Sequence, residues 1–125
     1  MKRVILDTNF LTIPYQFNID IFEEIDRVVE GEYELITLDC VVYELKKLKK
    51  SRGKNAAAAK VGLILIKEKN VKVIKTNEKK VDNAIYKIAD NKTIIATNDR
   101  DLIKKLKNKN VKILYLRSKK HIVMS

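Results

Sequence analysis

The chain has 125 residues, of which 46% are hydrophobic and 34% charged, and its formal net charge is +11. This composition predicts one compact domain with a sizeable core. Cys40 and His121 are the only residues of their types. This excludes an intramolecular disulfide and, unless His121 itself takes part, a Cys/His zinc site and a Ser-His-Asp or Cys-His triad. No apolar run approaches the roughly 18 residues that span a bilayer, so we expect a cytoplasmic protein without membrane contact.

The charges are unevenly distributed along the chain. Residues 1–44 contain 3 basic and 10 acidic side chains, whereas residues 45–125 contain 24 basic and 6 acidic ones. Such asymmetry favours a polyanionic partner such as a nucleic acid. The alternative is compositional, since lysine enrichment is also typical of AT-rich thermophiles.

Hydrophobic periodicity predicts alternating strands and helices. In chain order it gives strand 3–6, helix 19–30, strand 34–38, helix 40–50, helix 56–69, strand 71–74, helix 78–89, strand 93–96, helix 100–108 and strand 111–116. Pro14 is placed in a loop, and Asp39 is the predicted cap of the helix that follows it. The alternation predicts a three-layer α/β/α domain over 1–116, with a central parallel sheet of about five strands. Residues 117–125 form either a basic tail or a short extra strand at 121–124.

Four carboxylates are placed where this fold can bring them together. Asp7 and Asp99 follow strands, whereas Glu44 and Asp82 lie in the first turns of the helices after the second and third strands. In open parallel sheets, sites form beyond the carboxyl ends of the strands. Like charges gathered at one edge need neutralising, and a divalent cation is the usual means.

Each carboxylate also has a purely structural alternative. Asp7 could form an Asx turn or cap, and Asp82 could be favoured by its helix N-terminus. Asp99 could be an N-cap with Asp101 in the first turn. Glu44 lies three residues after Val41 and is therefore expected on an apolar helix face, where it needs a metal or a partner such as Lys47.

These residues resemble the motifs of a PIN domain. The matching segments are Val4–Asn9, Val41–Leu48, Val81–Ile85 and Ile94–Leu102, which occur in order and cover almost the whole chain. The chain is similar to small archaeal stand-alone PIN proteins and to the pre-rRNA nucleases of the small-subunit processome. PIN-type toxins of toxin–antitoxin pairs are the next most similar group.

The resemblance implies a sheet of order 3-2-1-4-5 and an endoribonuclease that depends on Mg²⁺ or Mn²⁺. It implies catalytic and metal-binding roles for Asp7, Glu44, Asp82 and Asp99, and metal binding by Asp101. Thr8, Asn9 and Thr97 would support these ligands as polar neighbours. It also implies a homo-oligomer such as a dimer, and a ribosome-assembly or antitoxin partner.

The resemblance therefore predicts an enzyme that hydrolyses phosphodiester bonds in RNA with the help of a metal and without a protein nucleophile. The expected role is processing of rRNA or of other RNA. Basic residues around and after Glu44 are the candidates for holding the RNA backbone, namely Lys46, Lys47, Lys49, Lys50, Arg52 and Lys54. Their alternative is a solvated helix face and loop. Two alternative functions stay open: a non-catalytic RNA-binding or scaffold protein, and a toxin ribonuclease.

Overall fold

A six-stranded sheet forms the centre of the computed structural model, which describes all 125 residues. The strands are β1 (Lys2–Leu6), β2 (Tyr33–Leu38), β3 (Lys72–Ile74), β4 (Thr93–Ala96), β5 (Lys112–Arg117) and β6 (His121–Met124). Their order is β3-β2-β1-β4-β5-β6. All neighbours pair in parallel except β5 and β6, which are antiparallel. The predicted order of the first five strands is therefore confirmed, and the sheet is mixed because of the sixth.

Seven helices flank the sheet and complete the α/β architecture. They are α1 (Thr8–Leu11), α2 (Ile13–Phe17), α3 (Ile21–Val28), α4 (Asp39–Lys49), α5 (Lys54–Glu68), α6 (Val81–Ile88) and α7 (Arg100–Lys107). Helix α5 packs against α4 and α2, and α6 packs against α7. None of the helices is both long enough and apolar enough to cross a bilayer.

The core is centred on β1, where Val4, Ile5 and Leu6 have no exposed surface. Strands β2 and β4 pair with β1 on either side, so strand order reverses at β1. Crevices at such reversal points are where open α/β sheets bind ligands. The residues that directly follow β1 and β4 are thereby placed side by side.

Strand β6 is the short extra strand expected at 121–124, and two side chains of α3 hold it. The Arg27 guanidinium donates to the carbonyl oxygen of Ile122 at 3.0 Å, and the Ile122 amide donates to Glu24 Oε1 at 3.0 Å. The hydrogen bond from Arg27, followed by that from Ile122, lowers the pKa of Glu24 to about 2. The proposed boundary between residues 116 and 117 stays a prediction.

Two local predictions are wrong. The predicted loop at Pro14 is helical in α1 and α2, because Pro14 lies in the first turn of α2, where a missing N–H breaks no helical bond. Asp39 does not cap α4, since Leu38 occupies the N-cap position. Instead, Asp39 Oδ1 accepts from the amide of Thr76 at 3.1 Å and from its hydroxyl at 3.0 Å, which links α4 to the loop after β3.

Candidate active site and metal centre

A cavity of about 550 Å³ opens at the carboxyl ends of β1 and β4, where the fold predicts a site. All four predicted carboxylates line it. The complete lining is Asp7, Thr8, Asn9, Thr12, Gln16, Glu44, Leu48, Asn55, Lys79, Lys80, Val81, Asp82 and Asp99. Residues from five helices and from the loops between elements thus meet in one acidic cavity of an otherwise basic protein.

Asp7 is the buried member of the set, with 6% of its surface exposed. Its Oδ1 accepts from the Thr8 amide at 2.7 Å, and its Oδ2 accepts from the Thr97 hydroxyl at 2.5 Å. Burial raises the pKa of Asp7 to about 6, against the lowering effect of these bonds, and the charges of Glu44 and Asp99 raise it further. A cation near Asp7 would relieve both its desolvation and this repulsion.

Polar residues after β1 and β4 hold the two loops together. The Asn98 amide donates to Asn9 Oδ1 at 3.1 Å, and Asn98 Oδ1 accepts from the Leu116 amide at 2.8 Å. Thr97 Oγ1 accepts from the Asp99 amide at 3.1 Å. The predicted neighbours Asn9 and Thr97 therefore contact the loops that carry Asp7 and Asp99, and Asn98 is a further positioning residue.

Asp99 is the N-cap of α7, as its structural alternative predicts. Its Oδ1 accepts from the amides of Asp101 at 3.0 Å and Leu102 at 3.2 Å. Because both bonds use the same oxygen, Oδ2 is left for the cavity, so capping and ligand binding are compatible. Asp101 itself is exposed and does not line the cavity, and its metal role stays a prediction.

Glu44 reaches the cavity by a different arrangement from the one expected. It is exposed, whereas the buried positions of α4 are Val41 and Leu45. Three residues of α-helix turn the chain through about 300°, so Glu44 lies on the flank of the apolar stripe rather than within it. Nor does it pair with Lys47, whose ammonium lies 5.6 Å from the centre of the Tyr43 ring. Glu44 is left unpaired at the rim.

Asp82 stands in the first turn of α6 and is half-buried, and its Oδ1 accepts from the Asn83 amide at 2.9 Å. The preceding residues, Lys79 and Lys80, also line the cavity. Sequence reasoning missed these two lysines because it looked for cations only after Glu44. The available signal was their position directly before Val81–Ile85, the segment that contains Asp82 and resembles a PIN motif.

The donor set fits a hard cation by its chemistry, since it consists of carboxylate, amide and hydroxyl oxygens. The buried hydroxyl of Thr8, next to Asp7, has no hydrogen-bond partner. No three acidic side chains lie close enough to hold a metal ion jointly. Mg²⁺ commonly uses one or two carboxylates and keeps several waters, and the open carboxylates of this cavity suit that mode.

The six basic residues predicted to hold RNA are all exposed. Lys46, Lys47 and Lys49 lie in the last turn of α4, and Lys54 begins α5. None of the six forms a salt bridge. They flank the helix turn that carries Glu44 and Leu48 to the cavity.

Comparison with known proteins gives one family and several similar structures. A family model described as a PIN like domain matches residues 4–119. Ribonuclease VapC4 of Methanocaldococcus jannaschii is 35% identical over an alignment of 126 positions, which covers 97% of this chain and 95% of that protein. The PIN domain endonuclease Utp24 has a similar structure, with a TM-score of 0.78 and 24% identity over 98% of this chain and 90% of that one.

Two further solved structures share the fold. A domain of a functionally unknown protein from M. jannaschii has a TM-score of 0.60 and 21% identity, over 94% of this chain and 93% of that one. VapBC-1 from nontypeable Haemophilus influenzae has a TM-score of 0.53 and 16% identity, over 85% of this chain and 93% of that one.

Proposed function

The chain belongs to the PIN-like domain family, and from this premise we propose that it is a metal-dependent endoribonuclease that hydrolyses phosphodiester bonds in RNA. The observation that carries the proposal is the cavity into which Asp7, Glu44, Asp82 and Asp99 converge from four separate segments. The similarity to VapC4, a ribonuclease, supports RNA as the substrate.

Asp7, Glu44, Asp82 and Asp99 would supply the carboxylates for one or two Mg²⁺ or Mn²⁺ ions, with one or two carboxylates on each ion. Such an ion, when bound, supplies Lewis-acid stabilisation of the phosphodiester and lowers the pKa of an attacking water. The protein's own groups do the positioning. The Thr97 hydroxyl and the Thr8 amide fix both oxygens of Asp7, the cap bonds fix Asp99, and Lys79 and Lys80 offer positive charge to the substrate's phosphates.

The proposal is tested by cleavage of single-stranded RNA in Mn²⁺ or Mg²⁺ and in EDTA. We expect activity with either metal, none in EDTA, and a loss of at least a hundredfold for Asp7→Asn and Asp99→Asn. Asparagine is a good N-cap, so Asp99→Asn keeps α7 capped and isolates the lost charge. Asp26→Asn, which changes an exposed carboxylate outside the cavity, is the matched control and should cleave normally.

Cleavage that survives both cavity substitutions would contradict the proposal. Tight RNA binding with neither cleavage nor calorimetric metal binding would instead favour the scaffold function.

Within this activity we propose a role in rRNA or other RNA processing, with a toxin role as the alternative. The similarity to VapC4 supports the alternative, and the similarities to Utp24 and VapBC-1 support the fold that both functions would use. Expression of the active protein without any partner distinguishes them. Growth arrest that Asp7→Asn abolishes would indicate a toxin with an antitoxin partner, whereas normal growth would favour processing.

A further inference from the structure

The lining of the cavity divides by chemistry into three parts. Four carboxylates form the first part, and Lys79 and Lys80 form the second. The third part is uncharged. Within it, Thr8, Asn9 and Val81 directly adjoin the carboxylates or lysines in sequence, and the remaining four residues, Thr12, Gln16, Leu48 and Asn55, form what we call the neutral wall. Metal binding and phosphate binding account for the two charged parts, but neither needs the neutral wall.

The carboxamide of Gln16 has no good partner within the protein. Its Oε1 lies 3.4 Å from the Thr12 hydroxyl, a long contact. Thr12 has one hydroxyl hydrogen and donates it to the carbonyl oxygen of Asn9 at 2.7 Å. Gln16 is exposed at the cavity, so its two donors and its acceptor remain available to a ligand.

A second carboxamide comes from a distant part of the chain. Asn55 is exposed in the first turn of α5, directly after Lys54, and the packing of α2 on α5 brings Gln16 to the same cavity. Leu48, half-buried on α4, adds an apolar surface beside them. Two free carboxamides and an aliphatic side chain can contact the hydrogen-bonding edge and the flat face of a ring.

We propose that the neutral wall is a nucleobase subsite, which reads the edge of one unpaired base next to the phosphate that is cut. This inference rests on the proposed ribonuclease function and adds base specificity to it. A carboxamide carries both donors and an acceptor, as the edge of a base does, so it distinguishes one base from another. The lysines, and a metal held by the carboxylates, would contact the phosphate, which is the same in every nucleotide. Base choice therefore falls to the uncharged residues.

The experiment is cleavage of a random-sequence single-stranded RNA pool in Mn²⁺, followed by sequencing of the new ends. For the wild-type protein we expect one base to be enriched about tenfold or more at a single position beside the cut. Gln16→Met and Asn55→Leu keep the side-chain length and remove the amide. Each substitution should lower the enrichment to about twofold or less, because the rate of cleavage next to the favoured base falls toward the rate next to the other bases.

Asn108→Leu is the matched control, since Asn108 is an exposed asparagine beyond the C-terminus of α7 and does not line the cavity. It should keep the wild-type enrichment, and thermal melting should confirm that all three variants are folded. A pool that the wild-type protein does not cut overturns the proposed function and the subsite together. Cutting without base preference, or a preference that both cavity variants retain, overturns the subsite alone.

Discussion

At the scale of single residues, Asp7 combines two properties that rarely coexist in a structural carboxylate. It is nearly inaccessible to solvent, yet it faces a cavity that other carboxylates also line. Its burial raises its pKa to about 6. In the protein without metal, the charged form of Asp7 is therefore a source of instability, which is a feature expected of binding residues rather than of packing residues.

Asp7→Asn should stabilise the metal-free protein above pH 6. The folded state binds the Asp7 proton more tightly than the unfolded state, so the wild-type protein loses stability as the pH rises from about 4 through about 6. At pH 8 the free energy of unfolding of the variant should exceed that of the wild type by at most about 3 kcal/mol, with no gain near pH 3. Thermal and urea melting in EDTA across this range measures the difference.

Added Mn²⁺ should raise the melting temperature of the wild-type protein more than that of the variant, because only the wild type offers the Asp7 charge. A variant that is less stable than the wild type at pH 8 would show that Asp7 has a structural role.

The same scale shows what the sequence could and could not reveal. Asp7, Asp82 and Asp99 were found because they follow strands or begin helices, which the hydrophobic pattern marks directly. The environment of Glu44 was predicted wrongly because helical periodicity gives an angle without saying which neighbouring elements cover it. Gln16 and Asn55 gave no signal, since exposed uncharged polar residues near helix ends are usually only solvated.

At the scale of elements, a close contact joins α5 to α1, and both helices contribute residues to the cavity. A Cβ added at Gly62, in the middle of α5, would lie 2.9 Å from the carbonyl oxygen of Leu11 at the end of α1. Only glycine permits this approach. Helix α1 carries Thr8 and Asn9 while α5 carries Asn55, so this contact sets the spacing between two walls of the site.

Gly62→Ala should destabilise the protein although alanine is the better helix former by about 1 kcal/mol. The added methyl group meets a backbone atom that cannot rotate away, and we expect a net loss of about 1–3 kcal/mol. Lys60→Ala, at an exposed position of the same helix, should change stability by less than about 0.5 kcal/mol. Urea denaturation measures both variants, and a stabilised Gly62→Ala variant would refute the close contact.

Strand positions were predicted well because buried parallel strands are short apolar runs bounded by polar residues. The short helices α1 and α2 were missed because they contain fewer than two turns, too few for periodicity to appear. Their stability comes from packing on α4 and α5, which the local sequence does not encode.

At the scale of the whole molecule, the proposal that the protein cleaves RNA predicts that the lysines beside Glu44 bind RNA more strongly than other exposed lysines do. Replacing Lys46, Lys47, Lys49 and Lys50 with glutamine should weaken RNA binding. It should also reduce the salt dependence, so that the slope of log K against log salt concentration falls by about two or three in magnitude. The matched control replaces four other exposed lysines, Lys104, Lys105, Lys107 and Lys112, and so changes the net charge equally.

The control set should change the slope by less than about one if RNA follows the surface beside Glu44. Fluorescence anisotropy with a labelled single-stranded RNA in EDTA, at several salt concentrations, gives both slopes. Equal effects of the two sets would mean that net charge alone attracts RNA, and would contradict a defined path along α4 and α5.

The pairing of β1 with β4 also determines when during its synthesis the protein can become active. The hydrogen bond from Thr97 to Asp7 joins residues 90 positions apart, and Asp99 is later still in the chain. A ribosome must therefore release most of the polypeptide before the first carboxylate meets the last. A nascent chain that carries only Asp7, Glu44 and Asp82 lacks the strand that completes the cavity. The cavity is therefore incomplete until β4 and Asp99 have emerged, so the proposed ribonuclease activity would begin only when translation of the domain is nearly finished.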